Sequence, residues 1–104
     1  MDATFAAEQS EVGICMIRAR GEVDLAAAPK FQEAIDAAIE SKPTSMLIDL
    51  SEVTFLDSSG IRVLVDAQRR LKEAGASFTI DGMSPALTRV FEIAGVIDLL
   101  RNAE

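Results

Sequence analysis

Residues 44–71 read TSMLIDLSEVTFLDSSGIRVLVDAQRRL, and the class of fold is most evident from this stretch. Its first part is a short, almost continuous apolar run, which predicts a buried strand over Thr44–Leu50. Ser51–Asp57 is predicted to be a loop, and a stripe at helical spacing follows it. The members of that stripe are Ile61, Leu64, Val65, Gln68 (its one polar residue) and Leu71. A strand that passes into a helix in this way is typical of an α/β unit.

The same alternation continues on both sides of this stretch. Apolar runs predict interior strands over Val12–Ala19 and Ser77–Ile80, and Thr4–Glu8 is predicted to be a shorter edge strand. Helical stripes are formed by Phe31, Ala34, Ile35, Ala38 and Ile39 before residue 44, and by Leu87, Val90, Phe91 and Ala94 after Ser84–Pro85. Helix ends are predicted at Gly75 and Gly95, and a last strand or turn at Val96–Leu100.

Strands separated by helices imply parallel pairing, and the first two strands imply an antiparallel hairpin at one edge. The predicted fold class is therefore α/β, with a small mixed β-sheet and packed α-helices. A chain of 104 residues holds one hydrophobic core, so a single domain over residues 1–104 is predicted.

The charge and composition exclude several functions. Seventeen acidic residues against ten basic ones give a net charge of −7, which disfavours nucleic acid and anionic membranes as partners. The chain has no histidine, so Ser-His-Asp and Cys-His catalysis are excluded and no metal site or cofactor is predicted. The single Cys15 is predicted to be a small buried side chain. The absence of a signal peptide or an apolar span predicts a cytoplasmic protein.

One segment, Val53–Ile61 (VTFLDSSGI), does not look like scaffold. It lies where a strand meets a helix N-terminus, and sites in open α/β sheets gather at such places. Two readings remain open. In the first, Asp57 or Ser58 acts only as a helix cap and Gly60 allows a tight turn. In the second, Ser58 is a hydroxyl that another enzyme phosphorylates. A nucleophile elbow and a phosphate-binding loop are both excluded, because their glycine and lysine are missing.

Charged residues near the helix ends have simple interpretations. Glu22 and Asp24 precede the first helix, where acidic side chains complement the helix dipole. A solvated helix face is predicted for Arg69, Arg70, Lys72 and Glu73.

Gly21-Glu22-Val23-Asp24 followed by Asp57-Ser58-Ser59-Gly60-Ile61 resembles the STAS domains of the anti-sigma factor antagonist family. Further stretches fit as well, namely Ile48–Leu56, Ser84–Leu87 and Val90–Gly95. The resemblance covers roughly residues 11–100. It implies a STAS-like fold and a bacterial protein that is a substrate rather than an enzyme.

In that family the unmodified protein binds a serine kinase that doubles as an anti-sigma factor, which indirectly frees a sigma factor for transcription. The resemblance implies that the kinase phosphorylates Ser58 and that a PP2C-type phosphatase reverses this. It also implies that Asp24, Asp57, Ser58, Ser59 and Gly60 belong to the partner-binding surface.

The sequence departs from the family pattern at Arg62, where several relatives have glycine. A long cation one turn into the helix is expected to alter the partner or to steady the phosphorylated form, so Arg62 is included in the partner-binding surface. The unbound protein is expected to be a monomer. Two other functions remain open: a non-phosphorylated STAS adaptor subunit of a lipid-transport ATPase, and a component of a stress-sensing assembly.

Overall fold

Apolar side chains at alternating strand positions give a four-stranded sheet one buried face. The computed structural model describes residues 2–94. Its elements in chain order are β1 (Thr4–Gln9), β2 (Ile14–Val23), α1 (Ala28–Glu40), β3 (Ser45–Leu56), α2 (Ser58–Glu73), β4 (Ser77–Asp81) and α3 (Pro85–Ala94). This order confirms the predicted α/β class with a small mixed sheet.

The strands lie in the order β1-β2-β3-β4. β1 pairs antiparallel with β2, whereas β2 with β3 and β3 with β4 are parallel pairs. The carboxyl ends of β2 and β3 consequently meet at one edge of the sheet, where the chain enters α1 and α2.

The third strand is longer than its sequence pattern indicated. The prediction of a loop over Ser51–Asp57 is wrong, because β3 continues to Leu56. The buried residues Leu50, Val53 and Leu56 are spaced three apart rather than two. Two register shifts between β2 and β3 mark bulges, and a bulge breaks the period-two pattern by which a strand is recognised.

The second strand is also displaced from its prediction. It covers Ile14–Val23 instead of Val12–Ala19, so Gly21 lies inside the strand. Gly21 has a φ of 88°, and a Cβ at this position would lie 2.9 Å from the carbonyl oxygen of Asp2. Glycine is therefore required here both for its backbone conformation and for the close approach of the chain.

The core lies between the sheet and the helices. α1 packs over β1 and β2, α2 packs over β3 and β4, and Phe31 of α1 stacks on Phe5 with ring centroids 4.8 Å apart. The buried members of the predicted stripes are Phe31, Ile35, Ala38, Ile61, Leu64, Gln68, Leu71, Leu87 and Phe91. Ala34, Ile39, Val65 and Val90 are half-buried. Cys15 is fully buried in β2, as predicted.

An ion pair joins the two sheet-covering helices. Arg69, Lys72 and Glu73 lie on an exposed face as predicted, but Arg70 is half-buried. Its Nη1 donates to Oδ1 of Asp36 on α1 at 2.6 Å. This hydrogen bond holds the pKa of Asp36 below its ordinary value.

The helix ends follow the sequence signals where they are described. Gly75 follows α2 with a φ of 77°, and the Ser84 hydroxyl caps α3 by accepting from the Leu87 N–H at 3.2 Å. The predictions at Gly95 and Val96–Leu100 lie outside the described residues. Among the described residues, no helix combines the length and the apolar character needed to cross a membrane.

Candidate partner-binding and modification site

Two strand-to-helix junctions lie side by side at the carboxyl edge of the sheet. Val23 at the end of β2 pairs with Leu56 at the end of β3. The backbone N–H of Asp57 donates to the carbonyl oxygen of Val23 at 3.3 Å, which ties the second junction to the first. This pairing brings together Asp24 and the segment that contains Ser58, which are far apart in the sequence.

Asp57 is the N-cap of α2. Its Oδ1 accepts from the backbone N–H groups of Ser59 at 2.9 Å and Gly60 at 3.4 Å, and also from the Ser59 hydroxyl at 2.5 Å. The Ser59 hydroxyl and these backbone donors, together with the Leu25 N–H, outweigh the effect of burial and lower the pKa of Asp57. Asp57 is therefore ionised at neutral pH and holds both junctions together.

Ser58 is the first residue of α2, and its side chain is exposed. Its hydroxyl makes no hydrogen bond with any described residue. Of the two capping candidates in the sequence, Asp57 caps the helix and Ser58 does not. The Ser58 hydroxyl is therefore exposed at the surface and takes no part in the described hydrogen bonds of the helix start.

Gly60 is needed for close packing rather than for a tight turn. It lies within the first turn of α2 and is buried, and its φ is not positive. A Cβ at this position would lie 2.6 Å from Leu56 Cδ1 and 3.0 Å from Val23 Cγ1. The expectation that Gly60 allows a tight turn is therefore wrong. The absence of a side chain lets α2 begin directly on the ends of the two strands.

Asp24 organises the other junction. Its Oδ1 accepts from the Ala27 N–H at 3.0 Å, and its carbonyl oxygen accepts from the Ala28 N–H at 2.9 Å. The resulting turn leaves Leu25 with 76% of its surface exposed. Glu22 lies in β2, so only Asp24 takes up the predicted position before the helix.

A shallow groove of about 480 Å³ lies between α1 and α2 and reaches Ser59, the residue that follows Ser58. Its lining residues are Leu25, Ala28, Pro29, Gln32, Ser59, Arg62, Val63 and Asp66. Phe55, at the end of β3, is 48% exposed. An exposed apolar side chain within a groove, as Leu25 is here, is characteristic of a surface that binds another protein.

The structure brings together most of the predicted site residues. Asp24, Asp57, Ser58 and Ser59 share the carboxyl edge of the sheet, and Arg62 lies one helical turn further on. Sequence reasoning missed Leu25 and Phe55. A signal for Leu25 was present, since it is a large apolar residue outside the helical stripe of α1. No three acidic or thiol side chains among the described residues are arranged to hold a metal ion.

The model of the STAS domain family matches residues 6–103, and the chain therefore belongs to the STAS domain family. Several of its relatives in that family are anti-sigma factor antagonists. The anti-sigma-B factor antagonist of Listeria monocytogenes is 36% identical over 86 residues, which cover 81% of this chain and 75% of the relative. The resemblance predicted from the motifs is confirmed.

Two solved structures extend this comparison. An anti-sigma factor antagonist from Mycobacterium paratuberculosis is 30% identical and has a TM-score of 0.81, over 95% of this chain and 83% of the other. Bacillus SpoIIAA in its phosphorylated form is 27% identical and has a TM-score of 0.71, over 89% and 85% of the two chains. These relatives are regulatory proteins.

Proposed function

We propose that this chain, as a single STAS domain over residues 1–104, is an anti-sigma factor antagonist that works by partner switching. Its unphosphorylated form binds an anti-sigma factor serine kinase and so frees a sigma factor. Phosphorylation of Ser58 ends this binding, and a PP2C-type phosphatase restores it. The observation that carries the proposal is the exposed Ser58 hydroxyl, which Asp57 leaves free by capping the helix itself.

In the proposed transfer of a phosphoryl group from ATP to Ser58, the kinase supplies the catalytic groups. The Ser58 oxygen attacks the γ-phosphorus of ATP, a new P–O bond forms, the bond to the β–γ bridging oxygen breaks, and ADP leaves. The hydroxyl proton passes to a base of the kinase. The Asp57 carboxylate is engaged by Ser59 and Gly60, and this chain has no histidine. In this proposal the chain is a substrate and not an enzyme.

The surroundings of Ser58 support a protein partner. Leu25 and Phe55 expose apolar surface at the same edge of the sheet, and large apolar side chains are frequent anchors of protein interfaces. The kinase must cover Ser58 to modify it, so the surface that binds is also the surface that changes. A phosphate brings a charge of about −1.5 to −2 next to the ionised Asp57. An uncompensated charge of this size inside the interface weakens binding.

A cytoplasmic location and a monomeric unbound state complete the proposal. Both ATP-dependent kinases and sigma factors act in the cytoplasm. The net charge of −7 opposes self-association of the free domain and also disfavours nucleic acid and membranes as partners.

The test uses wild type, Ser58→Ala and Ser58→Asp as baits in native lysate. Ser77→Asp is the control, because it adds the same charge at an exposed position of β4 that does not line the groove. Recovery of one ATP-binding serine kinase by wild type and Ser58→Ala, but not by Ser58→Asp, is the expected result. Titration calorimetry with the purified kinase is then expected to give at least about 30-fold weaker binding for Ser58→Asp than for Ser58→Ala.

Other outcomes identify the alternatives. If all three baits recover the same transporter ATPase, the chain is an adaptor subunit and the proposal fails. If the chain elutes from native lysate in a megadalton-scale particle whatever residue 58 is, it belongs to a stress-sensing assembly. Equal affinity of the kinase for Ser58→Ala and Ser58→Asp also contradicts the switch.

A further inference from the structure

Arg62 lies one helical turn after Ser58 on α2, and its side chain is exposed. Residues four apart on a helix have Cβ atoms about 5–6 Å from each other, so side chains at these two positions meet on one face. Arg62 also lines the groove beside Ser59. Its guanidinium is therefore within reach of any group attached to the Ser58 oxygen.

The guanidinium of Arg62 forms no ion pair with another residue in the described part of the chain. Ion pairs within 4 Å engage Arg18, Arg20, Arg69 and Arg70. Arg62 makes no such pair with any described residue. The carboxylate at the next helical turn, Asp66, is bound by Arg69 at 2.7 Å and by Arg70 at 3.4 Å. A new anion at Ser58 would meet a cation that has no competing partner among the described residues.

Two carboxylates near Ser58 disfavour a phosphate. Asp57 precedes it and is ionised, and Asp24 occupies the neighbouring junction. The backbone N–H groups of Ser59 and Gly60, which otherwise receive an anion at a helix N-terminus, already donate to Asp57. Among the charged residues that line the groove, Arg62 and Asp66, only Arg62 is positive.

We propose that Arg62 is the counter-ion of phosphorylated Ser58. Its guanidinium binds the phosphate oxygens within the same helix and stabilises the phosphorylated form of this chain. Guanidinium suits this role because its planar donors match a phosphate in a bidentate arrangement. The inference rests on the phosphorylation of Ser58 proposed above. Arg62 acts here as a positioning residue and takes no part in the transfer itself.

The test measures the second pKa of the phosphate by phosphorus NMR. Phosphoserine is introduced at position 58 during translation, so that the measurement needs no kinase. A cation at hydrogen-bond distance favours the dianion, so Arg62→Gln is expected to raise this pKa by about half a pH unit relative to the same protein with Arg62. Arg62→Lys is expected to give an intermediate value, because it retains the charge but not the bidentate geometry.

Arg89→Gln is the matched control. Arg89 is an exposed arginine of α3 that does not line the groove, and its replacement changes the net charge by the same amount. Equal shifts in the Arg62 and Arg89 variants, or no shift in either, would overturn the inference. The kinase-binding experiment is independent of this one, because it uses unphosphorylated chains. If no kinase binds, the NMR titration still tests the role of Arg62. If the NMR titration shows no shift, the kinase-binding result still tests the proposed function.

Discussion

The two strand-to-helix junctions at the carboxyl edge of the sheet are built differently. Between β2 and α1 the chain uses a turn organised by Asp24, and α1 begins without a side-chain cap at Ala27. Between β3 and α2 only Asp57 intervenes, and its side chain caps the helix. The first junction leaves Leu25 projecting into solvent, whereas the second packs Gly60 against the strand ends.

This difference separates two tasks that a switching surface requires. The second junction positions Ser58, because the start of α2 is held by the end of β3, by the Asp57 cap and by the close packing at Gly60. The first junction offers an apolar contact whose loss does not disturb the core. Under the proposed function, the fixed junction presents the group to be modified and the open junction supplies contact area. Substitutions at matched positions can test this division.

Two leucines provide the largest contrast. Leu56, at the end of β3, is 3% exposed, whereas Leu25 in the first junction is 76% exposed. Leu56→Ala is expected to lower the free energy of unfolding by about 3 kcal/mol, because it leaves a cavity against α2. Leu25→Ala is expected to change it by less than about 0.5 kcal/mol. Urea unfolding followed by circular dichroism measures both.

Similar costs for the two leucine variants would contradict the division between a fixed and an open junction. A measurement of kinase binding adds a second test, since Leu25→Ala is expected to weaken binding while its fold remains intact. Glu33→Ala, a change at an exposed position of α1 away from the groove, serves as the control for that measurement.

Removal of the helix cap at the second junction is expected to have the next largest effect on the free energy of unfolding. Asp57→Ala removes the acceptor of the Ser59 and Gly60 N–H groups and is expected to cost about 1 kcal/mol of unfolding free energy at pH 7. Asp57→Asn retains a capping oxygen and is expected to keep most of that stability. Thermal unfolding of the three proteins in one buffer measures the difference. An Asn variant as unstable as the Ala variant would show that charge, rather than capping geometry, holds the junction.

The charge of Asp57 is expected to affect how the free energy of unfolding of the same variants depends on pH. Because its folded pKa is depressed, its ionisation contributes stability that is present above the unfolded pKa of about 4 and is lost as the pH falls through the folded pKa. The wild type is therefore expected to lose more stability on acidification than Asp57→Asn. Asp36 and Asp49 also have lowered pKa values, so both proteins still become less stable in acid.

Much of the fold could be predicted from the sequence, because periodicity reports burial directly. The order of strands and helices follows from stripes such as Phe31, Ile35 and Ala38, which are all buried. The errors fall where the backbone is irregular. The bulged pairing of β2 with β3 gives β3 a three-residue spacing of buried positions, and Gly21 inside β2 resembles a turn signal in sequence.

The location of the site could also be predicted, but not its internal arrangement. The motif places Ser58 at a helix start, yet the choice of Asp57 as the cap depends on a hydrogen-bond geometry that the sequence does not encode locally. The contact between the Leu25 N–H and Asp57 depends on strands brought together by the sheet. The ion pair of Arg70 with Asp36 depends in the same way on the packing of α1 against α2.

The smallest expected changes in the free energy of unfolding are those for the two adjacent serines. The Ser59 hydroxyl donates to Asp57, so Ser59→Ala is expected to lower the free energy of unfolding by about 0.5–1 kcal/mol. The Ser58 hydroxyl has no partner among the described residues, so Ser58→Ala is expected to be neutral within about 0.5 kcal/mol. Parallel urea titrations resolve the two. A larger loss of unfolding free energy for Ser58→Ala than for Ser59→Ala would mean that the Ser58 hydroxyl stabilises the start of α2. Loss of kinase binding by Ser58→Asp could then result from a disturbed helix start and would no longer report on a free phosphoacceptor.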